Sequence, residues 1–199
     1  EIHFDLTGVP CSLGDKCLPN CECKRYVEIW NLVFNEFYQN NQKQLSLLDQ
    51  KGVDTGMGLE RLCMALQAKD NLFKTDLFLP IIEAIGKDSG KNYDDFKVSF
   101  RIIADHLKAA IFLIEAGVLP GKNEREYILR RILRSAISYV RLIELKEFDS
   151  ILEEIFIIYG EIYPEIITSK ERIISVINEE KEKFEKTLKE GLKEFEKIE

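Results

Sequence analysis

The first six residues, EIHFDL, alternate: Ile2, Phe4 and Leu6 are apolar, and Glu1, His3 and Asp5 are polar. That is the two-residue period of a half-buried strand. The run RYVEIWNLVFNEFY at 25–38 is rich in aromatic and β-branched residues and apolar on nearly both parities, which predicts a central strand buried on both faces. A polar loop at 39–44 and the short run LSLL lead to GVDTGMG, whose glycines at 52, 56 and 58 mark a turn. Beyond it the period becomes helical, with Leu59, Leu62, Cys63 and Leu66 three or four apart. A second helix is predicted through LPIIEAI to Gly86. The polar, aperiodic stretch GKDSGKNYDD at 86–95 reads as a domain boundary.

Everything after that boundary reads as helix. FRIIADHLKAAIFLIEAG stops at Gly117, with Pro120 just past it. The next helix opens at NERE, where Asn123 is placed to cap and Glu126 to reach back as in a capping box. A further helix is expected at about 147–163. From Glu171 a long amphipathic tail carries Phe184, Leu188, Leu192 and Phe195 in one stripe. The fold class expected is α+β: an antiparallel-sheet domain over 1–90 and an all-helical domain over 91–199.

Composition narrows the classes. With 199 residues, 45% of them hydrophobic, the chain can bury one substantial core or two small ones. No apolar run reaches the roughly 20 residues of a membrane span, and the N-terminal stretch lacks the parts of a signal peptide, so the chain is read as cytoplasmic, with no membrane partner. It lacks an initiator Met and opens in a strand, so it is read as cut from something longer. Net charge is −7, so a polyanion would have to be held by a local basic patch. One exists: between Lys122 and Arg141 lie six basic residues (Lys122, Arg125, Arg130, Arg131, Arg134, Arg141) against two acids, Glu124 and Glu126. Arg130, Arg134 and Arg141 share a helix face, with Tyr127 near them.

Candidate chemistry concentrates before residue 62. Gly52, Gly56 and Gly58 permit close backbone approach or positive φ, and the helix start beside them suits phosphate. Arg61 in the first turn offers a fork of donors for phosphate oxygens or a flat surface for a base, and Asp54 is placed to hold an ammonium group. The alternative is a plain strand-to-helix turn with a solvated Glu60–Arg61 pair. Glu28 and Asn31 sit in an otherwise apolar strand, where a carboxylate needs a partner. Their oxygens suit Mg2+ bridging to nucleotide phosphates; a buried ion pair with Lys or Arg is an equal reading. Cys11, Cys17, Cys21 and Cys23 crowd one loop, but gaps of five, three and one residues are not the paired CxxC of structural zinc sites. They read as loop thiols in a reducing compartment, with a bound metal left open as the alternative. His3 and His106 read as structural.

VEIWNLVF, followed by VDTGMGLERL, TDLF, RIIADH, AGVLP and YILRRILR in that order, resembles the alanyl-tRNA synthetases, class II aminoacyl-tRNA synthetases. The similarity covers nearly the whole chain, and DTGMGLER with RIIADH is very specific. The resemblance implies an ATP-dependent alanine–tRNA ligase, with Arg61 on ATP, Asp54 on the α-amino group of L-alanine, Gly56 and Gly58 at the pocket together with Asn31 and Val33, and Glu28 helping to hold Mg2+. It also implies that the helical domain grips the acceptor stem of tRNA(Ala) through Lys122, Asn123, Arg125, Arg130, Arg131 and Arg134. Zinc is not expected, because the family's zinc site lies in its editing domain. Two features depart from the family pattern: Lys122 stands where an Asn is usual, with Asn123 one position later, and Glu126 replaces a Gly. The first two class II motifs would lie upstream and the editing domain downstream, so the chain is expected to be inactive alone. Two alternatives are a stand-alone tRNA-binding module and a truncated paralogue that makes an aminoacyl-adenylate for another acceptor.

Overall fold

The computed structural model describes residues 1–23 and 25–195; the side chains of Leu192, Glu194 and Phe195 lie outside the described residues. Two compact units are present, Glu1–Leu77 and Phe78–Glu199. The first carries strands β1 (Ile2–Asp5), β2 (Tyr26–Gln39) and β3 (Leu45–Met57), then helix α1 (Leu59–Leu66). The strands form one antiparallel sheet in the order β1-β2-β3. The second carries α2 (Leu79–Ser89), α3 (Lys97–Glu115), α4 (Glu124–Leu142), α5 (Asp149–Gly160), α6 (Pro164–Thr168) and α7 (Lys170–Phe195). The class is α+β.

The β2–β3 hairpin turns on Asn40. Its Oδ1 accepts from the backbone N–H of Gln42 (2.9 Å) and of Gln44 (3.0 Å), while Lys43 takes a positive φ of 62°. The strand β2 is central, as its composition predicts, but it is not buried on both faces. From Val33 onward it is exposed, with Phe34 71% and Phe37 56% accessible. Apolar residues on both parities made the strand look doubly covered, yet among the described residues of the Glu1–Leu77 unit none forms a layer over that half. The glycine stretch is also not a turn. Gly52 and Gly56 are strand residues of β3, only Gly58 leaves the strand, as the N-cap of α1, and none of the three has positive φ.

In the helical unit the apolar stripes meet. Phe100, Ile103, Leu107, Ile111 and Ile114 of α3, spaced three or four apart, are fully buried with Leu129 and Leu133 of α4 and Ile151 and Ile155 of α5. Each such side chain contributes about 1.5–3 kcal/mol by leaving water. Helix α2 carries Pro80 in its first turn and is capped by Gly90 in the left-handed region, so it runs into the polar stretch that looked like a boundary. Its Ile81, Ile82 and Ile85 are buried and it packs on α3 and α5, which places it with the helices: the division falls between Leu77 and Phe78 rather than near residue 90.

Gly117 ends α3 as its sequence predicts, at φ 86°, with Val118 N–H donating to Leu113 O at 3.0 Å. Arg172 of α7 covers the same helix end, its Nη1 donating to Ile114 O (2.9 Å) and its Nη2 to Glu115 O (3.2 Å). The capping box expected at Asn123 does not form. Asn123 is the N-cap of α4, but its side chain makes no capping hydrogen bond. Glu126 instead lies over Gly121, where an added Cβ would fall within 2.1 Å of its carboxylate. Of the tail stripe, Phe184 and Leu188 are half-buried on α7; Leu192 and Phe195 fall outside the described side chains.

Candidate active site and nucleic-acid interface

Strand register assembles the site. Ile2 pairs with Trp30, but the next residue, His3, pairs with Glu28, so Ile29 is an extra residue that bulges from β2. In a regular strand Glu28 and Asn31, three apart, would point to opposite faces. The bulge resets the alternation and puts them on the same one, and Asn31 Nδ2 donates to Glu28 Oε1 at 3.1 Å. Asn31 pairs with Gly56, Val33 with Asp54 and Asn35 with Gly52. Cross-strand partners share a face. Glu28, Asn31, Val33, Asp54 and Gly56 are therefore neighbours on one side of the sheet, joined by His3 and Asn35.

Two contacts fix the frame. Arg61 Nη1, from the first turn of α1, reaches back to the carbonyl of Glu28 at 2.9 Å, and Gly58 N–H donates to Ile29 O at 3.2 Å. The bulge is thereby tied to the start of the helix. On the opposite face the Trp30 indole N–H donates to Thr55 Oγ1 (2.6 Å), and that hydroxyl donates to Asn31 O (3.0 Å). At Gly52 and Gly56 an added Cβ would meet nothing within 4 Å, so these glycines leave the face bare rather than relieve crowding. Asp54 and Arg61 are exposed; Glu28 and Asn31 are half-buried.

The donor set suits a hard cation. Glu28 supplies one carboxylate and Asn31 one carboxamide oxygen on a half-buried patch, and Mg2+ commonly takes one or two carboxylates and completes its shell with water and phosphate oxygens. His3 lies 3.5 Å from the Glu1 carboxylate and shares the face with Glu28.

The loop between β1 and β2 is closed at its neck by Asp5 and Arg25, paired through two hydrogen bonds of 2.8 and 2.5 Å. That guanidinium holds the Asp5 carboxyl well below the usual carboxylate range. Inside the loop the Sγ atoms of Cys11, Cys17, Cys21 and Cys23 all lie within 4.8 Å of one another. The backbone N–H of Cys11 hydrogen-bonds the sulfur of Cys17 and lowers that thiol to about 7. Cys63, on α1, lies outside the cluster, and burial pushes its thiol up. His106, on α3, is also shifted: burial lowers it, and its Nδ1 is buried with no hydrogen-bond partner among the described residues.

On α4 the basic residues divide. Lys122, Asn123, Arg125 and Arg131 are exposed. Arg130 is half-buried and stacks 5.5 Å from the centre of the Tyr127 ring. Arg134 turns inward: its Nε donates at 2.6 Å to Glu180 of α7, which is 5% accessible, and its guanidinium sits 5.2 Å from the Phe184 ring centre. The shared face that the spacing predicts is thus divided between solvent and an internal ion pair. A cavity of about 240 Å³ beside this region is lined by Ala116, Gly117, Val118, Leu119, Arg125 and Glu126. Among the described residues, no helix is long and apolar enough to cross a membrane.

A three-stranded antiparallel sheet followed by helices, with Glu28, Asn31 and Asp54 on one face and Arg61 at the start of the next helix, is consistent with the catalytic region of a class II tRNA synthetase. The family model described as "tRNA synthetases class II (A)" matches residues 1–199, and the chain belongs to that family. The relatives it matches are alanine–tRNA ligases. It is 41% identical to an alanine–tRNA ligase of Thermotoga petrophila, an alignment that takes in all of this chain and 24% of the relative. Against the alanine–tRNA ligase of Desulfosudis oleivorans identity is 42%, over 97% of this chain and 23% of the relative. The ligase of Clostridioides difficile is 37% identical over 96% of this chain and 22% of its own length. The chain therefore spans about a quarter of the curated relatives it matches.

Proposed function

We propose that this chain supplies part of the ATP and alanine site of an alanine–tRNA ligase, together with helices that bind the tRNA acceptor stem. The observation that carries the reading is the single sheet face holding Glu28, Asn31, Val33, Asp54 and Gly56, with Arg61 fastened at its end to the Glu28 carbonyl.

In this reading Asp54 holds the α-amino group of alanine, with Val33 directly across the strand pair shaping a small apolar slot for the methyl group. Gly56, and Gly58 at the helix start, leave room for the backbone to approach the ligand. Arg61 binds ATP through its phosphates and base, and the Glu28 carbonyl keeps its guanidinium from swinging away. Glu28, with the Asn31 oxygen beside it, holds Mg2+, which neutralises the phosphates when bound. The alanine carboxylate attacks the α-phosphorus in line, pyrophosphate leaves, and alanyl-adenylate remains. The tRNA 3′-terminal hydroxyl then attacks the carbonyl of the adenylate and AMP departs. No side chain forms a bond to substrate. Catalysis rests on alignment and on charge placed where it develops.

The exposed Lys122, Arg125 and Arg131, with Arg130 beside Tyr127, are the proposed phosphate contacts. Asn123, whose amide is not engaged in capping α4, is the proposed reader of a base edge. The sheet face is open to solvent and offers Arg61 as its phosphate-binding cation. We therefore propose that the chain does not activate alanine without the rest of the protein. The intact face disfavours a module that only binds tRNA, which would have no use for Asp54.

The experiment is alanine-dependent ATP–pyrophosphate exchange in the full-length ligase carrying Asp54→Asn. Loss of the carboxylate is expected to raise the KM for alanine by about 100-fold, the size of a charge-assisted contact, and to leave the KM for ATP within about two-fold. An equal rise in both would remove Asp54 from the amino-group pocket.

A further inference from the structure

The loop between β1 and β2, residues 6–25, has almost nothing of its own to fold around. Among its described residues the only regular element is the short 3-10 turn Gly14–Lys16, and Val9, Leu13 and Leu18 are 67%, 56% and 55% accessible. Among its described residues one is buried, Cys17 at 4%. A connection of this length without secondary structure or a core needs another source of order. What the loop does contain is four thiols brought to a point.

Cys11 and Cys21 approach at 3.8 Å between sulfurs, and Cys17 and Cys23 at 3.6 Å. Both distances far exceed the roughly 2.05 Å of a disulfide. They match a tetrahedron: ligands at about 2.3 Å from a zinc ion are separated along each edge by about 3.8 Å. The remaining pairs lie within 4.8 Å, so a small inward movement of the side chains completes the set. We propose that Cys11, Cys17, Cys21 and Cys23 bind one Zn2+ as a structural site that orders this loop.

The surroundings fit a thiolate-bound cation. The Cys11 backbone N–H and the Arg25 guanidinium lie close to the Cys17 sulfur, the kind of outer positive charge that offsets the excess negative charge of four thiolates. Tyr26 Oη donates to the Cys17 carbonyl at 3.3 Å, and the Arg25 guanidinium lies 4.8 Å from the Tyr26 ring centre, so the cluster is braced against the first residue of β2. Gly8 and Gly14, at φ 65° and 54°, let the loop fold back so that thiols separated by five, three and one intervening residues converge. Four sulfur ligands leave no open coordination position, which makes the site a staple rather than a reaction centre. Zinc is favoured over ferrous iron because Fe2+ stands below Zn2+ in divalent affinity and tetrahedral thiolate coordination suits Zn2+. By ordering the loop above the neck that Asp5 and Arg25 close, the metal holds the four-residue edge strand β1, and with it His3, in register with Glu28. The proposal stands whether or not the ligase reading does.

The test is elemental analysis of the 199-residue chain purified without chelator. About one zinc per chain is expected, lost in Cys17→Ser and in Cys23→Ser and kept in Cys63→Ser. If the serine variants are insoluble, the wild-type chain decides: mercurial titration should release zinc in step with four thiols, and exchange with Co2+ should give thiolate-to-cobalt charge transfer and the visible bands of a tetrahedral site. Metal-free protein whose thiols all react freely would overturn the assignment. So would iron in place of zinc, two disulfides in the cluster, or zinc retained by the Cys17 and Cys23 variants.

Discussion

Single residues in this chain act through partners far away in sequence. Arg134 looked like one of three guanidiniums on a solvent face, because its spacing to Arg130 and Arg141 was visible and its contact with Glu180, 46 residues on, was not. Removing it leaves the Glu180 carboxylate buried and unpaired. Arg134→Ala should destabilise the helical unit by about 3 kcal/mol in urea unfolding, with much of the loss recovered in Arg134→Ala/Glu180→Gln, where no buried charge remains. A double variant as unstable as the single one would show that the loss comes from packing against Phe184 instead. Asp5 gives a pH signature. Its folded-state carboxyl is held below its unfolded value by Arg25, so the pair stabilises the protein above about pH 4 and that contribution falls away as acid protonates Asp5. The unfolding midpoint of wild type should exceed that of Asp5→Asn at pH 7, and the two should converge towards pH 2. A gap that persists unchanged would assign the effect to something other than the charge.

At the level of elements, the alternation of β1 and the helical periods of α3 and α4 were plain in the sequence. The face on which the site is built was not. Three residues apart in a strand means opposite sides, and nothing in VEIWN marks Ile29 as the residue that bulges. The glycines misled for a related reason: Gly52 and Gly56 suggested a turn, but they lie in β3 opposite Asn35 and Asn31, where a missing side chain opens the sheet surface. The cysteines failed by spacing, since convergence came from backbone reversals in the loop and not from a CxxC knuckle. Helix α4 makes the sharpest element-scale prediction. If its exposed cations meet phosphates, the combined Lys122→Ala, Arg125→Ala and Arg131→Ala variant of the full-length ligase should reduce the slope of log affinity for tRNA against log salt by about 2 to 3. An unchanged slope would take α4 out of the interface.

For the whole molecule, the order of sheet first and helices after was legible from the change of period near residue 59. The division between units was not. GKDSGKNYDD is polar and glycine-bearing, yet its first half continues α2, because Ile81, Ile82 and Ile85 find their burial among helices that come later in the chain. Polarity marked a bend, while burial set the unit. The proposed division of labour follows the same line, with small-molecule chemistry in Glu1–Leu77 and acceptor-stem binding in Phe78–Glu199. One measurement tests this most directly: alanine-dependent ATP–pyrophosphate exchange and tRNA affinity, side by side, for wild-type full-length ligase and its Arg61→Ala variant. Exchange should fall by at least about 100-fold, as expected for loss of a positioned guanidinium at a phosphate, while tRNA affinity stays within about two-fold. Wild-type exchange in Arg61→Ala, or equal losses of exchange and tRNA binding, would contradict that division of labour.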